Sequence, residues 1–366
     1  MSQEKRSSRP RGWLLWVALG AALVVGGVAG GLIVGATQSS GASTNSNSST
    51  ASATASACPV TSVADQVVPS VVTIQASGSE GSGTGSGEVI RSEGYILTNN
   101  HVISIAAGSG GSVKVQFADG QTVPATITGR DPQTDLAVLK VQKPHELKVI
   151  SLGSSSSVKV GQPVVAVGAP LGLSGTVTSG IVSALDRTVE VPGENDRSAL
   201  LVSAVQTDAS INPGNSGGAL VNCEGQLIGV PTAGATVPNS GGGSIGLGFA
   251  IPVDLAKSIA DEIISTGTVT HAFFGLQTAP IPPAAAEQAG LPEGLYVQAV
   301  TPGGPAAMAG LRASDVITKI NGEAATSNIQ LAELTLTKKP GDTVSIDYTR
   351  DGRSASTTVT LAAQPG

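Results

Sequence analysis

The sequence predicts a mainly β protein in two folded parts, preceded by an apolar segment and a polar tether. Three observations carry that expectation. Short valine-rich runs recur between glycine-rich turns from Val63 onward, the pattern of an all-β sandwich or barrel. The best helical repeat, over residues 252–266, is followed by a second series of strand-like runs. The 366 residues are enough for two ordinary domains plus extras.

Composition narrows the function. Apolar residues make up 40% of the chain and aromatics only 2%, so valine, alanine, leucine and isoleucine must fill the cores. The net charge is −6, although Lys5, Arg6, Arg9 and Arg11 crowd the first eleven residues. The chain beyond residue 11 is therefore more acidic than the whole, which argues against nucleic acid as a partner. Two distant cysteines and three scattered histidines, His101, His145 and His271, give no metal spacing. No cofactor is expected.

Taken in order, residues 1–12 form a basic cytoplasmic N-terminus. Residues 13–36 carry no charge and exceed the ~20 residues that cross a hydrocarbon core. The basic flank keeps the N-terminus inside, so the segment reads as an uncleaved transmembrane helix. A cleaved signal peptide is the rival reading, since small residues stand near Gly35 and Ala36. Residues 37–62 are almost all Ser, Thr, Ala, Gly and Asn over most of their length. They cannot bury enough apolar surface to order themselves, and read as a flexible stalk.

Residues 63–266 form the first folded part. Its strand candidates are 71–74, 113–117, 123–127, 137–141, 164–167 and 200–205. Residues 76–87, rich in Gly and Ser, read as a loop between the first two strands. In 252–266, Val253, Ala256, Ile259, Ala260 and Ile263 recur at helical spacing, with Asp254 and Gly267 at the ends.

The chemistry centres on Gly214-Asn-Ser-Gly-Gly218. Glycines on both sides of Ser216 permit a sharp turn that presents its Oγ. The N–H groups of Gly214 and Ser216 then converge on one small space, as an oxyanion site requires. A serine nucleophile needs a base, and the base an orienting carboxylate. His101 ends an apolar run in a polar turn, and Asp135 precedes a buried-strand run. Asp131 competes for the acid, but Asp131-Pro132 reads as a turn opener. His145 and His271 read as surface or linker residues.

The strings TNNHVI, DPQTDLAVLK and TDASINPGNSGGAL, in that order, resemble the HtrA (Deg) serine proteases. GSGEVI, VTSGIVSALDR, LIGVPTAGA and GLGFAIP extend the resemblance over residues 63–361. It implies a chymotrypsin-like pair of six-stranded barrels, with His101 and Asp135 from the first, Ser216 from the second, and the catalytic triad between them. It implies an S1 pocket lined by Ile211, Val230 and Thr232, uncharged and suited to small or medium aliphatic side chains. Residues 272–362 resemble one PDZ domain, with Phe273, Phe274, Gly275 and Leu276 as the loop that takes a peptide's C-terminal carboxylate and an apolar pocket around Phe274 and Leu276. The implied partners are unfolded proteins as substrates, peptides with a hydrophobic free C-terminus, and two further copies of the chain in a homotrimer.

An extracytoplasmic face permits disulfides. Cys58 and Cys223 either pair, pinning the chain's entry onto the second barrel, or remain free thiols with Cys223 buried. A function from another class stays open: a peptide-sensing scaffold or chaperone whose protease part is idle.

Overall fold

The computed structural model describes residues 58–142, 147–169, 175–194, 198–234 and 243–365. The predicted anchor, the stalk up to residue 57, and His145 lie outside the described residues. No helix among the described residues is long and apolar enough to cross a membrane.

Six strands build the first barrel: β1 (Val71–Gly78), β2 (Gly81–Arg91), β3 (Tyr95–Asn99), β4 (Ser112–Gln116), β5 (Thr122–Asp131) and β6 (Leu136–Val141). They close in the order β1-β2-β3-β6-β5-β4. Strand alternation sorts their apolar residues onto two faces. Ile74, Val89, Ile96, Val115 and Leu139 fill the barrel, while Ile90, Leu97 and Val138 face a second cluster outside it.

The Gly/Ser run at 76–87 is strand, not loop. It is the β1–β2 hairpin, paired from Val71↔Glu88 to Gly78↔Gly81 and turned by Ser79 and Glu80. Its glycines serve close packing. A Cβ on Gly85 would lie 2.5 Å from Val102, and one on Gly87 2.8 Å from both Ile74 and Ile96.

The second barrel uses β7 (Ser151–Leu152), β8 (Pro163–Gly168), β9 (Thr176–Pro192), β10 (Ser198–Thr207), β11 (Ala219–Val221), β12 (Gln226–Gly234) and β13 (Gly248–Pro252). The order β11-β8-β9-β10-β13-β12 closes on itself because β11 also pairs β12, and β7 joins β12 in parallel. Val164, Val182, Val205, Leu220 and Ile228 fill it. The two barrels share a core in which Leu97, Leu136 and Val138 meet Val165, Val167, Leu227 and Val230.

Helix α1 (Val60–Val67) buries Val63 and Val67. Residues 58–62, assigned to the stalk from the sequence, therefore already belong to the described fold. Cys58 is disulfide-bonded to Cys223, with the Cα atoms 5.2 Å apart. The short α2 (Asn100–Ile103) follows β3. Helix α3 (Val253–Thr266) buries Val253, Ala256, Ile259, Ala260 and Ile263, the same residues that carry the helical spacing. Gly267 ends it at φ 81°, its N–H donating to the Ile263 carbonyl at 2.8 Å, as a left-handed C-terminal glycine does. A Cβ on Gly129 would lie 2.2 Å from the Gly267 carbonyl, so that glycine lets the helix end sit against β5.

The C-terminal part contains β14 (Ala272–Phe273), β15 (Leu276–Pro280), β16 (Leu295–Val300), β17 (Val316–Ile320), β18 (Glu323–Ala324), β19 (Thr343–Arg350), β20 (Arg353–Thr360) and β21 (Ala362–Ala363). Helices α4 (Pro283–Ala289), α5 (Pro305–Met308) and α6 (Asn328–Thr337) complete it. The sheet runs β15-β16-β17-β19-β20, and β14 pairs β21. β15 is an edge strand, and α6 covers part of it: Asn328 Nδ2 donates to the Thr278 carbonyl at 2.9 Å.

The linker overturns one expectation. His271 is no surface residue. It is 6% exposed, and its Nε2 lies 2.9 Å from each oxygen of Asp131. Asp131 ends β5 and opens the turn 132–135 as expected, its Oδ1 accepting Gln133 N–H at 3.2 Å, and it does so while only 3% exposed. The pairing partner lies 140 positions away, beyond the reach of any local turn rule. The His271 carbonyl accepts from Gln364 N–H at 2.9 Å. Gln133 Nε2 donates to Gln364 Oε1 at 3.0 Å, so the loop 131–135, the linker and the chain's end interlock.

Candidate active site

β3 delivers Asn99 to the barrel's rim, and α2 turns His101 outward to 41% side-chain exposure. Next to it in the barrel, β6 begins at Leu136, just after Asp135. Asp135 adopts φ 58°, a left-handed conformation that aspartate tolerates better than most residues. That turn aims its carboxylate back at α2. His101 Nδ1 lies 2.8 Å from Asp135 Oδ2, and His101 N–H donates to Oδ1 at 2.9 Å. Thr232 Oγ1 also donates to Oδ2. Three donors thus satisfy a carboxylate only 6% exposed, as a buried polar group requires. The Asp135 carbonyl is held too, by Asn99 Nδ2 at 2.8 Å and Asn100 N–H at 3.1 Å.

Ser216 comes from the second barrel, in the turn before β11. Gly214 at φ 97° and Gly217 at φ 78° flank it. Only glycine fits at 217, because a Cβ there would lie 2.4 Å from the Ser86 carbonyl and from Thr98 Oγ1. The turn is tied by Asn215 N–H to the Asn212 carbonyl at 2.9 Å and Gly217 N–H to the Pro231 carbonyl at 2.9 Å. Among the described residues the N–H groups of Gly214 and Ser216 donate to no carbonyl. Ser216 Oγ donates to the Thr232 carbonyl at 3.3 Å and makes no hydrogen bond to His101.

Thr232 therefore joins the two halves through its two ends. Its hydroxyl meets the acid, and its carbonyl takes the serine. The expectation that its side chain lines the substrate pocket is corrected: that side chain faces Asp135. Val230 is 0% exposed within the shared core of the barrels, so it is not a pocket wall either. A strand sends alternate side chains to opposite faces, and β12 bulges between Pro231 and Ala233. Ile211 is 4% exposed, packed in the second barrel, where a Cβ on Gly248 would meet it at 2.5 Å.

Sequence reasoning missed a charged cluster beside His101. Arg130 from β5 pairs with Glu194, which follows β9 of the other barrel. Asn100 Nδ2 donates to Glu194 Oε1 at 3.0 Å. A cleft of about 550 Å³ opens here, lined by Glu80, Asn100, His101, Arg130 and Glu194 among others. No motif announced it, because its members are dispersed in sequence.

In the C-terminal part, Gly275 takes φ 72° and its carbonyl accepts Thr301 N–H at 2.9 Å. Leu276 begins the edge strand β15. Phe273 lies in β14. Phe274 is 4% exposed and belongs to this part's core with Leu295, Val297 and Val344. Its side chain fills the fold instead of bordering an open pocket.

Residues 85–230 match the trypsin-like peptidase domain family, and residues 272–361 the PDZ domain family. The chain is 46% identical over 309 residues to serine protease PepD of Mycobacterium tuberculosis, covering 82% of this chain. It spans 65% of that relative, less than two thirds of its length. It is 40% identical to serine protease Do-like HtrA of Lactococcus lactis, covering 77% of this chain and 71% of the relative. Among solved structures, the HtrA-type protease AlgW with a decapeptide superposes with a TM-score of 0.67 at 32% identity, covering 84% of this chain and 99% of AlgW's.

Proposed function

The chain belongs to the HtrA family of serine proteases, and from that premise we propose that it is a serine endopeptidase, held in the cell membrane and facing outward, that degrades misfolded or damaged proteins. Ser216 attacks the scissile carbonyl. His101 takes the serine proton and returns it to the leaving amine, and Asp135 holds the imidazole tautomer and stabilises the imidazolium. The N–H groups of Gly214 and Ser216 receive the developing oxyanion.

One observation carries the reading. An acid–base pair from one barrel and a glycine-flanked serine from the other converge on the same residue, Thr232. For attack, Ser216 Oγ must leave the Thr232 carbonyl and reach the imidazole. Its resting position there is also what favours the second reading, a scaffold with an idle protease. Hydrolysis of unfolded casein by the purified chain decides between them. Ser216→Ala should lower kcat by on the order of 10⁶ with an unchanged melting temperature. No casein cleavage by the unsubstituted chain at any temperature would favour the scaffold.

Residues 13–36 supply the anchor, and the chain should resist extraction of membranes at alkaline pH. Phe273, Phe274, Gly275 and Leu276 form the carboxylate loop in this reading, and the edge of β15 pairs with an extended peptide by strand addition. Amidating a hydrophobic C-terminus should then weaken peptide binding. Displacing Asn328 from Thr278 is part of that event. Three copies of the chain form the working unit, a mass that sedimentation equilibrium would read directly.

A further inference from the structure

Ser86 lies on β2 of the first barrel and is fully buried. Every polar atom it has is engaged, and two of them hold the turn of the second barrel that carries Ser216. Its Oγ donates to the Gly214 carbonyl at 2.5 Å and accepts from Ala169 N–H at 2.8 Å. Its N–H donates to the Ser216 carbonyl at 2.9 Å. Its own carbonyl accepts Thr98 Oγ1 at 2.6 Å. One residue thus holds the 214–215 and 216–217 peptides, which adjoin at the Cα atoms of Gly214 and Ser216 the peptides carrying the proposed oxyanion donor N–H groups.

That grip has a physical reason. Gly214 has no Cβ, and its φ of 97° is one of several conformations open to glycine at little cost. An oxyanion donor works because it is aimed before the charge develops. Holding the 214–215 peptide fixes one side of the Gly214 Cα, so that φ alone remains to aim the N–H on its other side; without that hold both dihedrals of a glycine would have to be set in each turnover. The Ala169 N–H uses an Oγ lone pair and so directs the Ser86 proton toward Gly214. We propose that Ser86 is a positioning residue for catalysis: it sets the oxyanion site from the opposite barrel by fixing the carbonyls of Gly214 and Ser216. The proposal rests on the reading of those two residues as oxyanion donors.

The side-chain bond is removed by Ser86→Ala in the full chain, assayed with a short chromogenic peptide well below the melting temperature. A drop of about 10–100-fold in kcat is expected, part of the loss seen when a whole donor is removed, with KM within twofold. The affinity for a peptide boronic acid of the same sequence, which forms a tetrahedral adduct with the serine, should fall with kcat. Packing alone moves neither kcat nor the boronate affinity relative to KM. Should Ser86→Ala fail to fold, Ser86→Cys keeps a side chain there but offers only a weak donor, and the same drop in kcat of at least tenfold is expected. A kcat within twofold of the unsubstituted chain in either folded variant overturns the proposal. Ser216→Ala run alongside separates the two failures. If it is inactive while Ser86→Ala is unaffected, only the role of Ser86 falls; if it stays active, the oxyanion reading falls as well.

Discussion

Asp135 and Glu88 are both carboxylates buried in the first barrel, and the fold treats them in opposite ways. Asp135 is 4% exposed and Glu88 0%. Asp135 accepts from His101 N–H, His101 Nδ1 and Thr232 Oγ1. Among the described residues neither oxygen of Glu88 has a hydrogen-bond partner. Its neighbours in register are Val71 and Leu97, both in the apolar core shared by the barrels. Burial alone, with no charged group contributing, pushes the Glu88 carboxyl well above its usual range. Position in a barrel does not decide whether a buried acid is satisfied. The number of donors aimed at it does. Asp131 sides with Asp135: it is buried, and three groups face its carboxylate, Gln133 N–H, Thr134 Oγ1 and the distant His271.

Removing the charge of Asp135 while keeping its shape attacks this contrast most directly. Asp135→Asn should lower kcat by roughly 10⁴, because an amide selects the wrong imidazole tautomer. Thermal unfolding should change little, since the side chain is nearly isosteric. A kcat within tenfold would mean that the ionised carboxylate does not matter, and the contrast with Glu88 would lose its functional content.

Glu88 tests the other side. Its raised folded-state value means that the native state holds a proton the unfolded chain releases. With more protons bound in the native state, stability falls as pH rises. The contribution is complete below the ordinary carboxyl range and is lost progressively above it. Glu88→Leu should stabilise the fold by about 1–3 kcal/mol at neutral pH, the usual cost of a buried unsatisfied polar group, and flatten the decline in melting temperature from pH 5 to 8. Glu88→Gln should flatten the decline too, with less gain in stability, because its amide remains unpartnered. A steeper alkaline decline in either variant would mean that the acid has a partner and is ionised in the fold.

These residues also mark what was legible in the sequence. Helix α3 was readable because one face is buried along its whole length, so spacing alone reports it. The barrel strands were readable from valine runs that need only a neighbouring core. His101, Asp135 and Ser216 were readable because nucleophilic catalysis demands those residue types with glycines about the serine. The β1–β2 hairpin reads as a loop because glycine has two uses, turning and close approach, and only the positions of Val102, Ile74 and Ile96 distinguish them. Thr232 was given to the pocket because the register of a bulged strand decides which of its atoms faces the site. His271 reads as a surface or linker residue because the carboxylate it meets, Asp131, lies 140 positions away.

Asp131 probes the same satisfaction away from the serine. His271→Ala leaves the carboxylate with Gln133 N–H and Thr134 Oγ1 alone. The expected cost is on the order of 2 kcal/mol, the penalty for taking one partner from a buried polar pair. Because Asp131 and Asp135 bound the same loop, kcat should fall a fewfold along with stability. A substitution that left the melting temperature unchanged would show that water replaces the imidazole readily, and that the linker is not fastened to the protease through this contact.

The smallest effect is the finest test. Thr232→Val preserves volume and β-branching, so the strand and its carbonyl contact to Ser216 should persist. What it removes is one of three donors to Asp135, a single step toward the condition of Glu88. A hydrogen bond to a charged acceptor contributes about 1.5–3 kcal/mol, but His101 still supplies two, and the half-exposed imidazole is open to water. A roughly tenfold drop in kcat with KM unchanged is the expected result, read with the same chromogenic peptide. A far larger loss, approaching that of Asp135→Asn, would mean that Thr232 fixes the direction of the carboxylate and not merely its charge. An unchanged kcat would mean that the two bonds from His101 are sufficient. In that event the donor count would explain why Asp135 can be buried without explaining how well it works.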